Sequence, residues 1–123
     1  MIKYLLIVGI GSFFGGVLRY YISTLMKNIV SNVFPWGILT VNLLGCFIFG
    51  ILFALFNKYS STSTSWCLLL TTGFCGGFTT FSTFANDSLQ MLQNGNVGSF
   101  IIYVLTSIVV GIVLIALGYY IVK

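Results

Sequence analysis

The chain has no histidine and a single carboxylate side chain, Asp87, among its 123 residues. Proton relays, paired catalytic carboxylates and divalent-metal clusters therefore cannot be assembled within one copy. Charge of either sign is scarce. Only 5% of the residues are charged, and the five basic ones, Lys3, Arg19, Lys27, Lys58 and Lys123, form no run. A nucleic-acid footprint needs clustered basic residues, so no nucleic-acid partner is expected. Cysteine is limited to Cys46, Cys67 and Cys75. An odd number of thiols in apolar segments reads as small buried hydrophobes and not as a disulfide framework.

What remains is apolar. Hydrophobic residues make up 59% of the chain, too many for a water-soluble domain and typical of the membrane class. Four long apolar stretches fall at about residues 4–26, 36–56, 66–92 and 98–122. Each is long enough to cross a hydrocarbon core of ~30 Å, which takes ~20 helical residues. The stretches lack the period-two alternation of barrel strands, so helices are expected, because backbone polar groups must be satisfied internally in lipid. The connecting segments KNIVSNVFP, NKYSSTSTS and QNGNV are too short to hold a folded domain. The chain reads as one four-helix transmembrane domain over residues 1–123, acting inside the bilayer. Its opening, MIKYLLIVGIGSFFGG, starts like a signal peptide, but the apolar run continues past residue 20 without a small-residue cleavage site. It is expected to stay as a helix.

An even number of spans places both termini on one side. Lys3, Lys58 and Lys123 then share that side, against Lys27 and the nearby Arg19 on the other. So small a bias permits insertion both ways round. The polar groups are one-sided as well: Asn42 lies ~9 Å into the second helix from the non-terminal side, and Tyr103 ~8 Å into the fourth. Arg19 and Asp87 approach the same side. They form a pair or share a vestibule, or Arg19 snorkels to the interface. One copy would supply half of a polar pathway and an inverted second copy the other half, which motivates an antiparallel dual-topology homodimer.

The most informative stretch is Gly73-Phe-Cys-Gly-Gly-Phe-Thr-Thr-Phe-Ser-Thr-Phe84. Cys75 ends ~15 Å of helix begun at Trp66, which places Gly76 and Gly77 near mid-bilayer. Adjacent glycines followed by β-branched threonines make a poor continuous helix, so a break is expected near 76–80. It could be a plain glycine kink. Alternatively, freed carbonyls could hold a cation, or the resumed half-helix could favour an anion at its N-terminus. Phe81 and Phe84 share a helix face beside a Thr80 and Thr83 hydroxyl row. The positive edge of an aromatic ring can meet a small anion without binding it as tightly as a charged group would. Small-residue spacings at Gly11-x-x-x-Gly15 and Gly73-x-x-x-Gly77 fit either close packing within the bundle or a dimer seam.

With Gly-Gly-x-x-Arg-Tyr at Gly15 to Tyr20, Thr-Val-Asn-Leu-Leu-Gly at Thr40 to Gly45, and the Gly73 to Phe84 segment, the sequence resembles the Fluc (CrcB-type) fluoride channel family over nearly its whole length. The resemblance implies an antiparallel homodimer in the cell membrane, with two fluoride pores and a structural sodium ion on the two-fold axis. Backbone carbonyls of Gly76 and Thr79 from each copy would hold the sodium. Phe81 and Phe84 would line the fluoride path with Ser82 and Thr83. Asn42 would be a pore-lining polar group and Arg19 the vestibule cation. Tyr103 and Ser107 match the first two places of a polar track on the fourth helix, whose next two places are Gly111 and Ile115 here, without hydroxyls. Passive efflux of fluoride is the implied activity, with no enzymatic step. Two rival readings are a small multidrug-type cation exporter, which would need a membrane carboxylate in the first helix, and a structural subunit of a larger complex. The first helix has no carboxylate.

Overall fold

A computed structural model of the chain describes residues 1–29, 34–59 and 64–123. The two longer predicted connections fall partly outside these residues. Among the described residues the protein is all helical. Helix α1 runs Ile2–Ile29 and α2 runs Trp36–Lys58. The third span, Thr64–Gln93, divides into α3 (64–78) and α4 (Phe81–Gln93), and α5 covers Val97–Val122. These make four spans long and apolar enough to cross a membrane.

Glycines set how the spans pair, because only a missing side chain lets two helix backbones touch. Helix α1 lies along α3. A Cβ on Gly11 would come 2.9 Å from the Gly73 Cα, and one on Gly77 would come 2.6 Å from the Ser12 carbonyl oxygen. Gly15 closes the same seam against Phe74 and Phe78. Both small-residue motifs are thus consumed by one intramolecular contact, which decides between the two uses the sequence left open. Helix α2 pairs with α5 in the same way, with Gly118 against the Phe47 carbonyl and Gly50 against the Ile115 backbone.

The break falls two residues later than the glycine pair. Gly76–Phe78 stay helical, and Thr79 and Thr80 carry the interruption, with φ/ψ of −87°/159° and −149°/127°. Side-chain chemistry explains the shift. The Thr79 amide and hydroxyl both donate to the Cys75 carbonyl, at 3.0 and 2.9 Å, which ends α3. The Thr80 hydroxyl accepts from the Thr83 amide at 3.4 Å as the N-cap of α4, a role threonine favours over helix interiors. Within α3, Leu68–Cys75 is wound as a π-helix, and Thr106–Val110 repeats this in α5; neither was foreseen.

Helix α4 leaves the α1–α3 pair and settles on α2 and the first half of α5. There Leu39, Met91 and Tyr103 form a buried cluster, with Phe34, Leu43, Phe84 and Phe100 packed around it. The turn back into α5 is made at Gly95, whose φ of +78° suits glycine. Most large apolar side chains on the outer faces are exposed, as expected where lipid tails are the solvent.

Candidate functional site

Backbone interruptions inside an apolar bundle must be satisfied by something. Asn42, on α2, meets this one with both ends of its amide. Its Nδ2 donates to the Thr80 carbonyl at 3.1 Å, and its Oδ1 accepts from the Thr80 amide at 2.9 Å. Thr80 is therefore held as a strand neighbour would hold it. Arg19 reaches the break from α1, where its Nε donates to the Gly77 carbonyl at 3.1 Å. Ser12 does the same for the Gly73 carbonyl at 3.3 Å.

Around the break, then, the carbonyls of Gly73, Cys75, Gly77 and Thr80 are taken. Among the described residues those of Gly76 and Thr79 receive no hydrogen bond. Gly76 also faces open space, since a Cβ built on it would meet nothing within 4 Å. Two hard, neutral oxygen atoms at an open face are donors that suit a hard cation, though two are too few to enclose one. A second copy presenting the same pair would double the set.

The aromatic face develops as the i, i+3 spacing predicts. The rings of Phe81 and Phe84 lie 5.7 Å apart at 51°. Their environments differ: Phe81 is 78% exposed, whereas Phe84 turns inward and contacts the Tyr103 ring at 5.0 Å. Tyr103 is fully buried and also meets Phe34 edge-on at 5.5 Å. Its hydroxyl donates to the Asp87 Oδ2 at 3.4 Å. Asp87 is thus met by Tyr103 and Arg19 by a backbone carbonyl. Of the uses the sequence offered for Arg19, pairing with Asp87 is not realised: its Nε is spent on the Gly77 carbonyl, and it does not line the cavity that Asp87 borders.

One turn beyond Tyr103, Ser107 places its hydroxyl in the interior with no hydrogen-bond partner among the described residues. Further along α5, Gly111 packs against Cys46 and the Ile115 backbone against Gly50. The hydroxyl track thus ends in helix packing. On the α4 flank, Ser82 is exposed and Thr83 half-buried, with Thr80 Oγ1 donating to Thr83 Oγ1 at 3.3 Å. Thr83 and Asp87 border a polar cavity of about 380 Å³ that opens between the end of α1 and the start of α2, where Tyr20, Thr24 and Lys27 also line it. The double role of Asn42 was missed from sequence. Its spacing gave depth but could not show that Thr80 would be its partner.

Comparison with known proteins converges on one family. The family described as CrcB-like protein, Camphor Resistance (CrcB), matches residues 6–119. A protein of Leptospira interrogans serovar copenhageni named fluoride-specific ion channel FluC is 39% identical over 121 residues, covering 98% of this chain and 95% of its own. One of the same name from Azobacteroides pseudotrichonymphae is 42% identical over 119 residues, 97% of this chain and 95% of its own. A third, from Serratia proteamaculans, is 47% identical over 95 residues, 77% of this chain and 74% of its own.

Proposed function

Because the chain belongs to the CrcB family, we infer that it is a fluoride-specific ion channel of the membrane, a multi-pass transport protein and not an enzyme. Its four spans leave no extramembrane domain among the described residues, so conduction has to be organised by the bundle itself.

The working unit is two copies in opposite orientation. One observation carries this reading: among the described residues the Gly76 and Thr79 carbonyls receive no hydrogen bond, while every neighbouring carbonyl named above is taken, and Gly76 and Thr79 border the same cavity. Two such faces brought together by a two-fold axis would offer four carbonyl oxygens to a sodium ion. That ion would be structural, cross-linking the two broken helices, and the conducted anion would not touch it. The exposure of Phe81 supports the same arrangement, because a ring so open in one chain is covered if it faces a second.

Fluoride, drawn by the Arg19 charge on α1, then enters from the polar cavity lined by Lys27 and passes Ser82 and Thr83. It continues along the ring edges of Phe81 and Phe84 toward Tyr103 and Ser107. Ring edges and hydroxyl donors stabilise the anion in steps weak enough to release it. The Ser107 hydroxyl, with no partner among the described residues, is free to donate to a passing ion. Asn42 keeps the break rigid so that these groups stay in register. No energy coupling is required. Fluoride enters cells as neutral hydrogen fluoride, dissociates at neutral pH, and is driven out by an inside-negative potential at ~2.3 kcal/mol per 100 mV.

Efflux from proteoliposomes, followed with a fluoride electrode, tests the reading. Fluoride should leave rapidly while chloride is retained, and efflux should fail when sodium is replaced throughout by a large organic cation. Chloride passing as fast as fluoride would overturn the selectivity, and indifference to sodium would overturn the cation site.

A further inference from the structure

At the far end of the bundle from the Asn42 brace and the polar cavity, a cavity of about 240 Å³ lies between the last turns of α2 and α5, lined by Ala54, Asn57, Lys58, Tyr119 and Lys123. Two of the chain's five basic residues meet there. The only acidic side chain, Asp87, sits on α4 beside Tyr103 and is not available to neutralise them. Aromatic faces steady both ammonium groups. Lys58 Nζ lies 5.8 Å from the Tyr59 ring, and Lys123 Nζ lies 5.9 and 5.8 Å from those of Tyr119 and Tyr120. A cation held over a ring keeps its N–H groups free to donate outward.

Position narrows what such a pocket can take. Lys58 ends the second span and Lys123 follows the last residue of the fourth. The pocket therefore sits where hydrocarbon gives way to headgroups, with exposed Tyr59 and Tyr120 flanking it as interfacial aromatics do. Two ammonium groups, a carboxamide and a phenol together match a phosphate diester, with positive charge for its anionic oxygens and hydrogen-bond donors for the rest. A headgroup carrying its own cation would be repelled by the second lysine.

We propose that this pocket is a binding site for the headgroup of an anionic phospholipid, such as phosphatidylglycerol, one per chain. The bound phosphate bridges Lys58 on α2 to Lys123 at the end of α5 and so clamps the helix pair that Gly50 and Gly118 bring together. In a dual-topology dimer the two pockets would lie in opposite leaflets, so each leaflet would contribute one clamp.

Native mass spectrometry of the purified full chain, in detergent doped with equal phosphatidylglycerol and phosphatidylcholine, tests this. The wild type should retain one phosphatidylglycerol per chain. The Lys58→Gln/Lys123→Gln variant should bind it roughly thirty-fold more weakly, from two basic contacts. Lys58→Arg/Lys123→Arg should retain it, which separates lost charge from lost fold. Lys3→Gln, which removes a basic residue from the same side but not from the pocket, should bind like the wild type. Equal retention of phosphatidylcholine, undiminished binding in the double Gln variant, or a loss in Lys3→Gln of the same size would overturn the site. Full displacement by millimolar inorganic phosphate would overturn the lipid as its occupant.

Discussion

Replacing Asn42 by leucine keeps approximate volume on α2 but removes both hydrogen bonds to Thr80, at 3.1 and 2.9 Å. Each bond contributes ~1 kcal/mol net, so the break should lose at least ~2 kcal/mol. Where the freed amide and carbonyl stay dry, each unsatisfied group costs ~1–3 kcal/mol, which raises the total toward ~6 kcal/mol. Even the lower figure enlarges the locally open population of the break about thirty-fold. Hydrogen exchange reads that directly: the Thr80 amide should exchange about thirty-fold faster, while amides in the α2–α5 pair keep their protection. Fluoride efflux should fall with it. Asn42→Asp is the finer probe, because it keeps an acceptor for the Thr80 amide but sets a second oxygen against the Thr80 carbonyl. It should recover part of the exchange protection and little of the efflux. Normal exchange at Thr80 in Asn42→Leu would refute the brace. Normal exchange with efflux abolished would show that Asn42 acts on the ion alone.

Phe81→Ile should change the stability of the separated single chain by no more than ~0.5 kcal/mol, since within one chain the ring is 78% exposed, yet abolish efflux by the dimer. Phe84→Ala, which removes a ring packed at 5.0 Å on Tyr103, should lower stability by ~2 kcal/mol as well. Gly77→Ala drives a Cβ to within 2.6 Å of the Ser12 carbonyl oxygen and should cost ~1–3 kcal/mol in a melt, whereas Gly9→Ala meets nothing within 4 Å and should not. Equal melting shifts for the two would remove the α1–α3 seam as a source of stability. Arg19→Gln removes a charged donor to the Gly77 carbonyl and should reduce efflux more at low ionic strength than at high, because the attraction of Arg19 for anions is screened by salt. A salt-independent loss would assign Arg19 to the fold alone.

Much of this protein could be read from residue order because a bilayer restricts the choices. An apolar run of twenty or more residues has to be a helix there, whatever its neighbours do. Four spans, the interruption in the third and the Phe81–Phe84 face therefore followed from spacing. The exact position of the break did not. Gly76 and Gly77 were the weakest helix formers in the segment, but both stay helical: the missing side chain of Gly77 is spent on the approach of α1, Gly76 faces open space, and Thr79 and Thr80 break the helix through their own hydroxyls. Propensity acts within a segment; close approach is set by a partner helix more than sixty residues away in the chain.

Side-chain partners belong to tertiary structure for the same reason. Sequence placed Asn42, Arg19 and Tyr103 at similar depths on one side, and depth is a sum over helical rise that needs no knowledge of neighbours. Which groups they meet depends on how α1, α2 and α5 are rotated about the broken span, and that rotation is decided by the glycine contacts. Only then do Asn42 and Arg19 fall on the Thr80 and Gly77 carbonyls and Tyr103 on Asp87. The same packing leaves the Gly76 and Thr79 carbonyls without partners among the described residues, because the donors that α1 and α2 bring to the break, Ser12, Arg19 and Asn42, are spent on the Gly73, Gly77 and Thr80 carbonyls.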